Sequence, residues 1–430
     1  MLDELKKKIM KQGADDLVLC QVKSDSHQIK FVNNKIVTNQ SYFYDSVSIF
    51  MVKDKKVITT SVNNMNDVDR IVKKLFDYIK IIKPKEDYGG IYSSKLSSYK
   101  KLQETYDPKI LDLDKVDMVE KGINAALESG AKRSSGVLES SSAQARLVTS
   151  AGVDVEDKGT DVYYSIRAFT GRDASGGKVC CSRMLNKFEL EDTSKEAAGI
   201  SVLAKNPVII EPGKYDIIFD PLPIANLLNP LVESTSAFSV DSGISCFVDK
   251  LGQKVFNDKV TIYDNPLLTN GLGARRFDDE GRPTQKTTIF DKGVLKTYLH
   301  NTSTAKKYGV ESTGNAGLID PSPNCIEVEA GDEKEFSDGL RITNLWYTRF
   351  QNYNTADFST IPRDGIFLMK DGEIVKSVKN IRISDNMLKM MQNVQGLSQS
   401  RKQIYGWEAD IPVLTPTFFI KDLNVTLGQE

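Results

Sequence analysis

The stretch "PVIIEPGKYDIIFDP", Pro207 to Pro221, separates two differently patterned halves of the chain. Pro207, Pro212 and Pro221 punctuate apolar runs rich in isoleucine and aromatics. Proline has no N–H to give to a ladder, so it bounds short strands. Just before it stands the helical pattern "ELEDTSKEAAGISVLAKN" (189–206); beyond it strands and loops dominate. A chain of 430 residues is long for one core. The reading is an N-terminal α+β domain over 1–205 and a C-terminal, strand-rich domain over 206–430.

Working outward, the N-terminal half alternates helices and hairpins. Leu2, Leu5 and Ile9 fit a short amphipathic helix. "IKFVNNKIVTNQ" (29–40) and "VSIFMVKDKKVITTSV" (47–62) carry apolar runs around Asn33-Asn34 and Asp54-Lys55, as antiparallel hairpins do. "NDVDRIVKKLFDYIKII" (66–82) is an amphipathic helix, and residues 84–108 read as a polar loop. "DKVDMVEKGINAALESG" (114–130) is a helix closed by Gly130. Strands follow over 135–150 and 162–171, with a turn at Ala151-Gly152; Cys180 and Cys181 sit on opposite faces of another.

In the C-terminal half, "IFLMKDGEIVKSV" (366–378) is a hairpin around Asp371-Gly372. "SDNMLKMMQNV" (384–394) is a short helix capped by Ser384 or Asp385. Strands and helices come in clusters, not in strict βαβ order, so the fold class is α+β with mixed or antiparallel sheets and flanking helices.

One segment resists simple reading. "IANLLNPLVESTSAF" (224–238) has the apolar spacing of a helix, with Leu227, Leu228, Leu231 and Val232 on one face. Pro230 sits in its middle, where it lacks an N–H and its ring crowds the preceding turn. Proline is tolerated in a first helical turn, so the expectation is a helix beginning at Pro230 with Asn229 as its N-cap.

Composition narrows the function. The 57 Lys+Arg against 58 Asp+Glu give a net charge of −1, which argues against a nucleic-acid binder. No run approaches the ~18 apolar residues of a membrane span, and "MLDELKKKIM" has no signal-peptide core. Five cysteines, odd in number and without a CxxC, fit a cytoplasmic chain. P-loop, GxGxxG and GxSxG motifs are absent. The only histidines are His27 and His300, so HExxH cannot be written anywhere.

The remaining candidates are weak singly. Ser303 and Lys306 make an S-x-x-K beside His300, but Ser97 and Lys100 repeat that pattern. "RRFDDEGRP" (275–283) lines up Asp278, Asp279 and Glu280, without the ligand number of a hard-cation site. "STGNAG" (312–317) reads as a tight turn, or as backbone N–H groups offered to an anion. "NYNTADFST" (352–360) reads as a polar loop entering an edge strand.

Together these loops are specific. "FVDKLGQKVFNDKVTIYDNP", "FDDEGRPTQKTTIFDKGVLKTYLHNTSTAKKYG", "STGNAG", "TADFS" and "GIFLMKDGEIVKSVKNIRISDNMLKMM" follow in that order. The chain resembles the TldD/PmbA family, first named as modulators of DNA gyrase. The resemblance is dense from about residue 205 onward and looser before it.

It implies a two-domain α+β fold and cytosolic proteolysis of peptides or unfolded segments by a heterodimer. The TldD kind carries zinc on an HExxxH helix with a later cysteine; the TldE (PmbA) kind lacks the motif. Laid on that frame, the histidines fall on Asn229 and Ser234, the glutamate on Pro230 and the cysteine on Tyr405. The resemblance therefore implies a non-catalytic, TldE-type subunit with no cofactor of its own, zinc being held by a TldD-type partner. A homodimer stays open when that partner is absent, and neither nucleic acid nor membrane is expected.

Chamber or peptide-binding candidates are Asp278, Asp279, Glu280, His300, Thr355, Asp357, Phe358 and Ser359. The segment 355–359 is the candidate sheet edge for an extended peptide. The alternative is a hydrolase in its own right, using His300 with Asp278 or Asp279.

Overall fold

The computed structural model describes residues 2–93 and 98–428, so Ser97 of the first S-x-x-K lies outside the described residues. Six strands form an all-antiparallel sheet in the order 56–62, 35–53, 16–32, 133–149, 154–169 and 175–182. Its first hairpins turn at Asn33-Asn34 and Asp54-Lys55, all four with positive φ. That backbone matches the strand twist in a two-residue loop, and Asn and Asp tolerate it.

Side chains alternate faces along a strand. On strand Asp16–Val32, Leu17, Leu19, Ile29 and Phe31 are buried and share one face. Helices Leu2–Lys11 and Val68–Ile79 pack on Leu17 and Leu19. Helices Lys115–Glu128 and Leu190–Leu203 pack on Ile29 and Phe31. The first of these two is followed by Gly130 at φ +98°, the left-handed closure its sequence implies.

The second sheet is mixed and has eleven strands among the described residues. Strand Ala409–Leu427 is its hub. It pairs with Ile381–Asn386, Val394–Gly406 and Gly213–Phe219 antiparallel, and with Ile326–Val328 parallel. Strands Asp357–Lys370 and Gly339–Asn352 complete a circuit back to Gly213–Phe219, so five strands close into a ring. The α+β class with antiparallel and mixed sheets is the one expected from the sequence.

Several local expectations need correction. The helix in the proline-bearing segment is Pro221–Glu233 and runs through Pro230 rather than starting there. Burial overrides propensity: Ile224, Leu227, Leu228, Leu231 and Val232 are all at most 1% exposed. Pro221 opens that helix as its first residue instead of closing a strand. The later helix, Met387–Gln392, is capped by Asn386, whose side chain accepts from the Lys389 N–H; Ser384 and Asp385 belong to the preceding strand. The strand expected over 162–171 begins earlier, at Asp154.

Segment 355–359 is not a free edge. Asp357, Phe358 and Ser359 pair with strand Gly339–Asn352 on one side and with Ile381–Asn386 on the other. Their backbone N–H and C=O groups already have partners, so no peptide can add there.

Candidate functional site

Helix Pro221–Glu233 follows strand Gly213–Phe219 through Asp220. The Asp220 carboxylate is buried and accepts from Arg341 Nε at 2.9 Å and Nη2 at 3.2 Å, with Lys178 Nζ at 3.7 Å. Bidentate guanidinium contact neutralises the buried charge and fixes the entry to the helix.

The side chains on which the resemblance lays the zinc motif, Asn229 and Ser234 among them, are engaged within the protein. Asn229 is 3% exposed. Its Oδ1 accepts from the Ile411 N–H at 2.8 Å, and its Nδ2 donates to the Ile411 carbonyl at 3.0 Å and the Ala225 carbonyl at 3.1 Å. The amide thus acts as one more peptide group on strand Ala409–Leu427. Ser234 is equally buried, and its hydroxyl donates back to the Pro230 carbonyl at 2.8 Å. Pro230 carries no group that can exchange a proton.

Tyr405 lies on strand Val394–Gly406, between the residues that pair with Val413 and Ala409. The hairpin therefore brings Tyr405 to the segment that Asn229 grips. Its ring stands edge-on to Tyr163 at 5.6 Å, and burial pushes its phenol up. An engaged amide, a back-bonded hydroxyl and a phenol kept protonated do not fit zinc, which takes imidazole, thiolate or carboxylate. Among the described residues no three His, Cys, Asp or Glu side chains gather as metal ligands.

The helix is flanked by two clefts. One, of about 570 Å³, is lined by Pro230, Glu233, Ser234, Asp320 and Tyr353. Partial burial, with Asp410 and Asp320 nearby, raises the Glu233 carboxyl. The other, of about 510 Å³, opens between the two sheets beside Leu222 and Asn226. Its floor is Asp364, which accepts from Arg167 Nε at 2.5 Å, Ser175 Oγ at 2.6 Å, Asn344 Nδ2 at 3.0 Å and Arg363 Nε at 3.1 Å. Trp346 and Trp407 form its rim, with Arg363 stacked over Trp346 at 4.3 Å.

The sequence reading did not single out Asp364 or its arginines. A signal was present: "PRDG" (362–365) interrupts a strand, and Asp-Gly inside a strand pattern marks a bulge. Asp364 and Gly365 both have positive φ there.

The acidic loop and His300 are not one constellation. Asp278 is completely buried and accepts the backbone N–H groups of Glu280, Arg282 and Ala316 at 3.0, 2.9 and 3.1 Å. From the "STGNAG" turn only the Ala316 N–H reaches this carboxylate; the other two donors belong to the acidic loop itself. Burial raises the Asp278 carboxyl, and burial with the Asp278 charge raises that of Glu280, which accepts from the Thr302 N–H and hydroxyl. Asp279 pairs with Arg275 Nη2 at 2.6 Å. Asp279 and Glu280 line a cavity of about 230 Å³ with Tyr88 and Ser303.

His300 is 2% exposed, and its Nδ1 faces the Thr304 hydroxyl at 3.3 Å. Its ring packs 5.2 Å from that of Tyr308, and burial lowers its pKa to about 4. Its hydrogen bonds go to Thr304, Thr313 and Ser312, not to Asp278 or Asp279. Ser303 accepts from the Gly89 N–H at 3.1 Å, a structural role for the second S-x-x-K. Thr355 donates to Asp357 at 2.6 Å, Ser359 accepts from Ser384 at 3.1 Å, and Phe358 is buried in the main core.

The chain is similar to known proteins over most of its length. Residues 212–427 match the PmbA/TldA metallopeptidase C-terminal domain, and residues 106–204 match the central domain. An uncharacterized protein of Methanocaldococcus jannaschii is 27% identical over 406 residues, 91% of this chain and 93% of that protein. Two crystal structures share the fold. A protein described as a modulator of a DNA gyrase, from Thermotoga maritima, has a TM-score of 0.88 at 23% identity, covering 99% of this chain and 100% of its own. TldE from Thermococcus kodakarensis has a TM-score of 0.87 at 21% identity, covering 99% of this chain and 98% of its own. The chain belongs to the PmbA/TldD metallopeptidase family.

Proposed function

We propose that this chain is a non-catalytic, TldE-type subunit of a cytoplasmic zinc peptidase complex, in which a TldD-type homologue holds the metal. The observation that carries the reading is the Asn229 amide, locked to both backbone groups of Ile411 where the family frame places a zinc-binding histidine. Pro230 at the base position and Ser234 at the second histidine agree with it. The likeness to TldE supports the fold of such a subunit. Five free cysteines suit a reducing compartment. No helix among the described residues is long and apolar enough to cross a membrane.

In this reading the chain shapes a chamber for peptides and unfolded segments, and the two clefts beside helix Pro221–Glu233 are its contribution. The stand-alone hydrolase centred on His300 has less support, because that imidazole is buried, depressed and turned toward Thr304.

The test is co-expression with a zinc-bearing homologue from the same genome, followed by co-purification and metal analysis. The expected result is a stoichiometric complex with zinc in the partner, peptide cleavage by the complex, and none by this chain alone. Chelator-sensitive cleavage by the isolated chain would overturn the proposal.

A further inference from the structure

Strand Lys56–Val62 ends the six-stranded sheet, and its outer side has no strand beside it among the described residues. Counting from the two-residue turn at Asp54-Lys55, Lys56, Ile58 and Thr60 exchange hydrogen bonds with the neighbouring strand. Val57, Thr59 and Ser61 therefore turn their N–H and C=O groups outward, where they meet no backbone partner among the described residues. From Val57 to Val62 the edge carries no charge and no proline, the usual guards of an exposed strand.

Helix Val68–Ile79 runs back beside this edge. Lys56 Nζ, at the start of the strand, donates to the carbonyl of Lys80, just past the helix end, at 3.3 Å. Edge and helix enclose a groove of about 870 Å³. Arg70, Lys74 and Tyr78 follow one another at single-turn spacing along its helix wall, and Ile81 stands beyond them. Tyr78 is 56% exposed and Ile81 81%, so one end of the groove offers uncovered apolar surface. The other end is cationic. Arg70 and Lys74 have no carboxylate partner among the described residues, whereas the nearby Asp69 and Asp77 are paired with Lys8 and Lys80. Asp67, the one acid in the lining, is engaged as the helix N-cap and accepts from the Arg70 N–H at 2.9 Å. Residues 53–85 carry nine Lys and Arg against four Asp, in a chain of net charge −1.

A free edge supplies main-chain pairing, and a helix wall beside it supplies side-chain recognition, the two parts of a strand-addition site. The unpaired cations give that site a charge preference. We infer that this groove takes an extended, acidic polypeptide segment, which adds antiparallel to strand Lys56–Val62 and lies against helix Val68–Ile79.

The geometry sets the order of the ligand's side chains. The segment runs from Ser61 toward Val57, in the same direction as the helix. Its alternate side chains face the helix. Lys74 and Tyr78 are one turn apart, about 6 Å along the axis, and two strand residues span about 7 Å. An Asp or Glu opposite Arg70 and Lys74 therefore sets the residue two positions later on Tyr78, where an apolar side chain is covered. This site lies outside the proposed chamber. It requires neither zinc nor a second subunit, and it does not depend on the role of the zinc-position residues.

The test is fluorescence anisotropy of a labelled eight-residue peptide titrated with the full chain. The peptide carries glutamate at its third position, leucine at its fifth and threonine elsewhere. Saturable binding that weakens with added salt is expected. Arg70→Glu/Lys74→Glu, two changes on exposed side chains, is expected to weaken it at least tenfold. A peptide with lysine in place of the glutamate is expected to bind that variant better than it binds the wild type. Backbone N-methylation of alternate peptide residues probes the strand pairing with the protein unaltered. Methylating the set that faces the edge is expected to abolish binding, and methylating the other set to leave it. Absence of binding at about 1 mM peptide, the weak end of the affinity scale, would overturn the inference. So would binding indifferent to the two charge reversals, or equal effects of the two methylated sets. Co-sedimentation with anionic vesicles that the peptide does not displace would give the groove to a lipid surface instead, and self-association that the peptide relieves would give it to a second copy.

Discussion

At the scale of single residues, Asn229 and His300 make opposite points. Asn229 acts as a backbone mimic, its amide bonded to both backbone groups of Ile411. Asn229→Ala is expected to cost about 1–3 kcal/mol, because it leaves the half-buried Ile411 N–H and carbonyl without their side-chain partner. A thermal melt measures this; an unchanged melting temperature would show that the clamp contributes nothing. His300 is held neutral at about 4, whereas an unfolded imidazole titrates near 6.5. As pH falls through 6.5 the unfolded chain takes up a proton that the native chain does not. The stability contributed by this group is present above about pH 6.5 and is lost toward pH 4, by about 3 kcal/mol. His300→Gln is therefore expected to flatten the acid limb of a urea-midpoint profile. Glu280 has the reverse sign: its carboxyl is raised, so its contribution is present at low pH and falls as pH rises. Glu280→Gln should leave stability at pH 5 little changed and raise it relative to wild type at pH 9.

At the scale of elements, helix Pro221–Glu233 is the case where local rules and packing disagree. The apolar period announced a helix, and the proline announced an end. The helix continues because its side chains are buried almost all round, so packing outweighs one missing hydrogen bond. Pro230→Ala should then stabilise the chain, by about 1–2 kcal/mol once the lost rigidity of the unfolded state is subtracted. A denaturant midpoint that falls would mean that Pro230 is needed for the shape of the cleft it lines. The hairpins were far more legible. Asn33-Asn34, Asp54-Lys55 and Asp371-Gly372 name two-residue turns directly, and all three form. The segment 355–359 was not legible, since a polar strand end looks alike whether neighbours flank it on one side or two.

At the scale of the whole molecule, the two sheets are joined by polar contacts that no local pattern encodes. Asp364, from the second sheet, collects Arg167 and Ser175 from the first. Asp364→Ala would strand two arginines in a half-buried site and is expected to cost about 3 kcal/mol. Calorimetry should then show the two halves unfolding less cooperatively, and limited proteolysis should find the segment between them more accessible. A single, unshifted transition would mean the sheets are held elsewhere. The sequence alone was enough for the fold class, the hairpin turns, the absence of an HExxxH motif and the family, because turn chemistry, periodicity and motif order are properties of neighbouring residues. Tertiary structure decided that Asn229 grips Ile411, that Asp278 bonds to the Ala316 N–H and that residues 357–359 lie inside a sheet. Each depends on at least one partner between 29 and 182 positions away, and a linear pattern carries no information on which distant backbone group a side chain will meet.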